Sequence, residues 1–326
     1  MKAFVYYNPK DLADAAGALI QDGSKLIAGG TDLLGEMKNR YVAPERVVNL
    51  KSVSGLDRIR SSGSGLRIGA LAKLTDIAGH PGIQKSHPGL AQAAESVGSP
   101  QLRNVGTLGG NLCQRPRCWY YRGEEYPCIR KGGGTCFAVH GRNKYHCVIN
   151  GGPCFIVHPS DTAPMLMALG ASVTIQGRAG QRELKLDDFF VLPEDDSMAE
   201  NVLKPGEFIT EIMVPALAAK AKSIYLKFKE RGSRDFALAS AGVVLELDGT
   251  TCRKASIVLG GVAPAPYRAT AAEKALTGKP LNGQTVQAAA QAALAEAQPM
   301  TENEYKVGLA RTILKRAVLR AAGVDV

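Results

Sequence analysis

Leu26-Ile27-Ala28-Gly29-Gly30-Thr31-Asp32-Leu33-Leu34 decides the fold: a short apolar strand that breaks directly into paired glycines. Glycines at a strand end bare their backbone N–H groups and let the chain approach a ligand closely, so several donors can point at the oxygens of a diphosphate. A second turn of the same kind follows at Gly106-Thr107-Leu108-Gly109-Gly110-Asn111. Taken singly, either could be no more than a tight turn. Neither fits the P-loop pattern G-x-x-x-x-G-K-[ST]. Residues 63–69 miss G-x-G-x-x-G because Ile68 stands where the last glycine belongs, which argues against a nicotinamide Rossmann domain.

The densest chemistry begins just after the second turn. Six of the seven cysteines, Cys113, Cys118, Cys128, Cys136, Cys147 and Cys154, crowd one stretch that also holds the only tryptophan, Trp119. Three chemistries compete for them. A disulfide framework belongs mainly to small secreted domains, whereas 326 residues at 45% hydrophobic content can bury a large core. Structural zinc favours two closely spaced cysteine pairs, and Cys147 and Cys154 stand too far apart to form the second. An iron-sulfur cluster is larger than one ion, and a loop wrapped round it tolerates irregular spacing, so that reading leads.

Composition narrows the partners. A formal charge of +10 permits an acidic partner, a nucleic acid or an anionic cofactor. The basic residues are spread, however, and the run at 306–320 sets Val307, Ala310, Ile313, Leu314, Ala317 and Val318 at helical spacing, with Lys306, Arg311, Lys315, Arg316 and Arg320 on other faces. That is an ordinary amphipathic helix, and with no nucleic-acid motif present no nucleic-acid partner is expected. Apolar stretches such as 237–247 fall far short of the ~20 residues that cross a bilayer, so no membrane span is expected. The start, Met1-Lys2-Ala3-Phe4-Val5-Tyr6-Tyr7-Asn8-Pro9, has no apolar export core. The expectation is cytoplasmic synthesis, with a periplasmic location only through a signal-bearing partner.

Along the chain the patterning is mixed, an α+β fold. Asp11 starts a helix carrying Leu12, Ala15, Ala16, Leu19 and Ile20 on one face, stopped by Gly23; strands are predicted at 26–28, 47–50 and 66–70, and a helix at 88–97. Beyond the cysteines, Ser160-Asp161 precedes a helix over 162–169 as an ordinary cap, and strands follow at 171–176 and 207–214. In the next strand Ile224, Leu226 and Phe228 alternate with Tyr225, Lys227 and Lys229. From about residue 219 the chain runs as strands to 260, then helices at 269–276, 284–297 and 304–322. The boundary is placed at 218–222, giving domains 1–218 and 219–326 with a cysteine insertion at 113–157.

Four motifs occur together in order: Leu26 to Leu34 as quoted, Val105-Gly106-Thr107-Leu108-Gly109-Gly110-Asn111-Leu112, Ser160-Asp161-Thr162-Ala163-Pro164 and Gly260-Gly261-Val262-Ala263-Pro264. Through them the whole chain resembles the FAD-binding medium subunit of the molybdenum hydroxylases, the xanthine dehydrogenase and carbon monoxide dehydrogenase family. The resemblance implies a two-subdomain FAD-binding domain of the PCMH-like type, followed by an α+β C-terminal domain of the CO dehydrogenase flavoprotein type. It further implies that FAD lies against Ile27, Ala28, Gly29, Gly30, Thr31, Asp32, Leu33 and Leu34 on one side and Thr107, Gly110 and Asn111 on the other. Asp161, Ile209 and Lys229 would also contact the cofactor. Partners implied are a molybdenum-cofactor large subunit, a [2Fe-2S] small subunit, and a small-molecule or ferredoxin-like electron acceptor.

The cysteine stretch is similar to an inserted loop that binds a [4Fe-4S] cluster in the flavin subunits of 4-hydroxybenzoyl-CoA reductase and of the periplasmic aldehyde oxidoreductases. It looks more like the second, through Gln114-Arg115-Pro116-Arg117-Cys118-Trp119-Tyr120-Tyr121-Arg122 and Lys131-Gly132-Gly133-Gly134-Thr135-Cys136. The implied ligands are Cys118, Cys128, Cys136 and Cys154, with Cys113 and Cys147 left over as small buried hydrophobes and His140, His146 and His158 outside the ligand set. The function implied is electron transfer within an aldehyde oxidoreductase complex, the cluster being a side branch or electron store. Alternatives are the flavin subunit of a 4-hydroxybenzoyl-CoA reductase-like or xanthine dehydrogenase-like complex, a self-sufficient FAD oxidase, or a zinc-stabilised binding module. No residues suited to independent catalysis stand out beside the turns.

Overall fold

The first element pair shows how the N-terminal part is built. Asp11 accepts a hydrogen bond from the Asp14 N–H and so caps the helix Leu12–Leu19. Gly23, at φ +72°, then turns the chain into a strand. The computed structural model describes residues 1–232 and 234–324. Strands β1 (Val5–Tyr7), β2 (Ser24–Ile27) and β3 (Arg46–Asn49) form a small sheet in the order β1-β3-β2, parallel throughout. Parallel neighbours need crossovers, which the helices Leu12–Leu19 and Leu33–Lys38 supply.

A five-stranded antiparallel sheet follows in the order β4-β5-β8-β6-β7, with β4 Ile59–Ser62, β5 Gly65–Gly69, β6 Ser172–Gly177, β7 Gly180–Lys185 and β8 Phe208–Pro215. The helices Leu74–Gly79, Pro88–Glu95, Leu108–Leu112 and Thr162–Ala168 share a core with it, where Ile68, Ile77, Leu90, Leu108, Met165 and Ile212 are fully buried. The third sheet, antiparallel in the order β12-β11-β10-β9, comprises β9 (Ala221–Phe228), β10 (Ala239–Asp248), β11 (Thr251–Gly260) and β12 (Tyr267–Arg268). It packs with the helices Thr270–Leu276, Gly283–Ala293 and Tyr305–Ala321 round a second core.

Three of the departures from expectation concern single elements. The helix predicted over 284–297 stops at Ala293. Strand β7 is absent from the sequence reading because its residues, GQRELK, are polar and mostly exposed, and so leave no apolar alternation. The third concerns β9, which was expected to have one apolar face, yet Phe228 is 45% exposed while Tyr225 on the other face is buried. Both faces of β9 are covered, one by the helix Pro88–Glu95 and the other by Tyr305–Ala321. A strand between two layers loses the simple alternation of a half-buried one.

The stretch 113–157 contains only short helical turns, Trp119–Arg122 and Ile129–Lys131. Its backbone is secured from outside. Asn303 Nδ2 donates to the carbonyls of His146 (3.1 Å) and Cys147 (3.0 Å), and the Val148 N–H donates to Val262 O at 2.8 Å. Edge-to-face contacts of Tyr120 with Trp119 and Tyr126 fill its interior.

Candidate functional site

The two glycine turns touch. A Cβ on Gly29 would fall on the carbonyl oxygen of Val105, so the first turn can lie against the second only without a side chain there. Together they form one wall of a cleft of about 810 Å³, within the range of small-molecule sites. The N–H groups of Gly29, Gly30, Thr31 and Asp32 have no hydrogen-bond partner among the described residues, and all four residues line this cleft. They are donors ready for an anionic ligand. In the second turn the Gly110 N–H is already taken by Thr107 Oγ1 at 3.2 Å, which caps the helix Leu108–Leu112.

Ile27, Ala28, Leu33, Thr107, Gly110, Asn111, Asp161 and Ile209 also line the cleft. Leu34 and Lys229 do not. The Leu34 side chain lies behind Gly30, and Lys229 follows the end of β9. Asn111 acts as a tether: its Oδ1 accepts from Ser160 Oγ (2.5 Å) and Thr162 Oγ1 (2.6 Å), fixing the second turn to the start of the helix Thr162–Ala168. Ser160, not Asp161, caps that helix, through a 3.0 Å bond from the Ala163 N–H.

Asp161 is therefore free for other work. Its Oδ2 receives Lys227 Nζ at 2.7 Å and its Oδ1 receives Tyr225 OH at 2.9 Å. Burial pushes the Asp161 carboxyl up, and the Lys227 charge opposes that shift. Lys227 also donates to the carbonyls of Ser96 (3.1 Å) and Asp235 (2.9 Å), the latter in a loop whose Arg234 and Phe236 reach the cleft. The sequence singled out Lys229, two residues along the same strand face. The signal for Lys227 was its place opposite the apolar pair Ile224 and Leu226, on a face that also carries Tyr225.

The cysteine stretch meets the cleft through Asp32. This carboxylate accepts the Arg115 N–H at 2.7 Å, Arg117 Nη1 at 2.5 Å and Arg122 Nη2 at 2.6 Å. Behind this contact, Cys118, Cys128, Cys136 and Cys154 border one small enclosed space, together with Tyr120, Phe137, His146 and Arg130. Among the described residues no group of three or more His, Cys, Asp or Glu is gathered tightly enough to hold a metal ion. The four thiols surround a space and do not converge on a point.

Hydrogen bonding between two of these thiols pushes Cys136 down to about 7 and raises Cys154. Burial pushes Cys118 up to about 11. Cys113 lines the large cleft instead. Cys147, with a thiol pushed up to about 12 by burial, lies outside the space and beside Gly151. His140 is exposed, His158 packs edge-on against Phe190 at 4.8 Å, and His146 Nε2 lies 3.3 Å from Cys118 Sγ.

Sequence reasoning missed the pair that joins the two spaces. Glu200 lines the cleft and is buried, paired with Arg115 Nε at 3.0 Å and Arg130 Nη1 at 2.5 Å, while Arg130 Nε donates to Cys154 Sγ at 3.4 Å. Burial raises the Glu200 carboxyl, opposed by the two guanidinium charges. Nothing in the local pattern of Ala199-Glu200-Asn201 marks it, since its partners lie far back in the chain.

The fold agrees with the family comparisons. Residues 2–217 match the FAD binding domain in molybdopterin dehydrogenase, and residues 223–321 match the CO dehydrogenase flavoprotein C-terminal domain. The chain belongs to the FAD-binding medium subunits of the molybdenum hydroxylase family, and is an oxidoreductase component. Among its relatives is the aldehyde oxidoreductase FAD-binding subunit PaoB of Escherichia coli K12, 36% identical over 98% of this chain and 99% of that one. The carbon monoxide dehydrogenase medium chain of Hydrogenophaga pseudoflava is 32% identical over 97% of this chain and 96% of its own length. Solved structures of carbon monoxide dehydrogenase superpose along nearly the whole chain. That from Hydrogenophaga pseudoflava has TM-score 0.79 at 31% identity, covering 99% of this chain and 98% of its own. That from Oligotropha carboxidovorans has TM-score 0.80 at 27% identity, covering 99% of each chain.

Proposed function

We propose that this chain is the FAD- and [4Fe-4S]-carrying electron-transfer subunit of a molybdenum-dependent aldehyde oxidoreductase complex. It would pass electrons from molybdenum and [2Fe-2S] partner subunits to an external acceptor. One observation carries the reading: four of the six clustered cysteines border a single closed space, and that space is joined to the cofactor cleft through Arg130 and Glu200. The aldehyde class is supported by likeness to PaoB, whose name gives that activity.

The residues fit both groups. Free N–H donors at Gly29 to Asp32 suit a diphosphate, and the cleft is large enough for an extended dinucleotide. Cys118, Cys128, Cys136 and Cys154 offer the four thiolates that a cubane takes, and Arg130 offers a buried positive charge beside them. When bound, FAD and the cluster supply the electron chemistry, and the protein's part is to position and tune them. Asn111 and Gly29 fix the two turns, Lys227 anchors the loop carrying Phe236, and Asp32 ties cleft to cysteine stretch through Arg117 and Arg122.

The test is purification of the native complex with its partner subunits, then cofactor analysis. FAD, iron and acid-labile sulfide are expected in the wild type. Cys128→Ala should lose the cluster's share of iron and sulfide while keeping FAD, and Cys147→Ala should keep all three. Equal iron in wild type and Cys128→Ala would refute the ligand set.

A further inference from the structure

We propose that Arg130 is a positioning residue that raises the reduction potential of a cluster in the sulfur-lined space, and that Glu200 holds its guanidinium against Cys154. The proposal rests on the reading that the four cysteines bind a [4Fe-4S] cluster. Its basis is an unbalanced arrangement of buried charge. The Arg130 side chain is only 1% exposed. Its Nη1 is satisfied by Glu200 and by Ala199 O at 3.1 Å, and its Nε by Cys154 Sγ, but Nη2 is buried with no partner among the described residues. Arg130 borders the same space as the four cysteines.

A guanidinium does not lose its proton in a protein, so this charge is permanent. Glu200 does not neutralise it alone, because the same carboxylate also pairs with Arg115. A buried cation without full compensation is costly, so the site is built to meet more negative charge than Glu200 alone provides. Four thiolates round an iron-sulfur core supply it.

The electrostatic consequence has a definite sign. One-electron reduction adds a negative charge to the cluster. A fixed cation and an N–H···S bond stabilise that reduced form more than the oxidised one, which makes the potential less negative. Glu200 acts in the opposite sense through its charge and in the same sense as Arg130 through its grip. With Arg115 still present as a second cation, the charge term is expected to prevail.

The experiment is an EPR-monitored redox titration of the purified complex, with iron, sulfide and FAD measured on each sample. Arg130→Gln should shift the cluster midpoint to more negative potential at wild-type iron and sulfide content. Arg130→Lys, which keeps the charge but not the planar fork, should shift it less. Glu200→Gln should shift it to less negative potential. Clusters of Arg130→Gln or Glu200→Gln that titrate with the wild type, or an Arg130→Gln cluster that moves to less negative potential, would overturn the proposal. If Arg130→Gln fails to assemble, Arg130→Lys and Glu200→Gln decide by the same signs. Loss of the underlying cluster reading looks different: the wild-type complex itself would carry no extra iron or sulfide.

Discussion

Lys227 Nζ lies 2.7 Å from Asp161 Oδ2, and each side chain is only 4% exposed. Between them they join three separate segments, since Lys227 also holds Ser96 O and Asp235 O. Removing one member of such a pair leaves the other charge buried, a loss of about 3–5 kcal/mol. Lys227→Met should therefore lower the unfolding free energy by that amount in chemical denaturation. Adding Asp161→Asn should recover part of the loss, because the orphaned charge goes. If Lys227→Met unfolds like the wild type, the pair is not a structural anchor.

Gly29 gives the clearest steric test of the cofactor cradle. Because an added Cβ would overlap Val105 O, Gly29→Ala must push the two turns apart. The expected result is an overpacking cost of about 1–3 kcal/mol and weakened FAD retention. Gly35 is the control: nothing lies within 4 Å of its would-be Cβ, and it sits in the helix Leu33–Lys38. Gly35→Ala should leave FAD content unchanged and be neutral or stabilising by up to ~1 kcal/mol. Flavin absorbance per protein, before and after gel filtration, separates the two.

What the sequence made legible was what is local. The glycine turns, the Asp11 cap and the amphipathic run ending in Val318 are written in consecutive residues, and each produces the expected turn or helix. The four cysteines that share one space were singled out through family motifs, not spacing, since the space is closed by residues from several parts of the stretch. The Asp161–Lys227 and Arg130–Glu200 pairs are 66 and 70 residues apart. No periodicity reports such a contact. Lys227 and Lys229 were indistinguishable because strand alternation would put both on one face, whereas β9 ends at Phe228 and holds Lys227 alone against Asp161.

Acid should destabilise the protein through His158. Burial, helped by the Arg130 charge, pushes this imidazole down to about 4, and its Nδ1 accepts the Ser160 N–H at 3.4 Å. Its unfolded value is near 6.5, so below that pH the unfolded chain binds a proton that the folded one refuses. Stability is thus full above about pH 6.5 and falls as pH drops toward 4, by roughly 3 kcal/mol for this one group. His158→Asn can keep an acceptor for Ser160 without the titration. Its denaturation midpoint should fall less steeply than the wild type between pH 6.5 and 4, and parallel curves would exclude His158 as the source.

Asp32 links the two halves of the site, and its charge is what does so. Three donors from the cysteine stretch meet this carboxylate, two of them guanidinium groups whose side chains are 17% and 27% exposed. Hydrogen bonds to charged groups contribute about 1.5–3 kcal/mol, and partial exposure here favours the lower part of that range. Asp32→Asn retains the shape and one acceptor oxygen but leaves Arg117 and Arg122 uncompensated. Stability should drop by about 2 kcal/mol, and limited proteolysis should cut the 113–157 stretch faster than in the wild type. The discriminating comparison is Asp11→Asn, a change of the same type at an exposed helix cap, where a side-chain oxygen still accepts the Asp14 N–H. Faster cleavage in Asp32→Asn alone would place the anchor at Asp32, and equal cleavage in both would remove it.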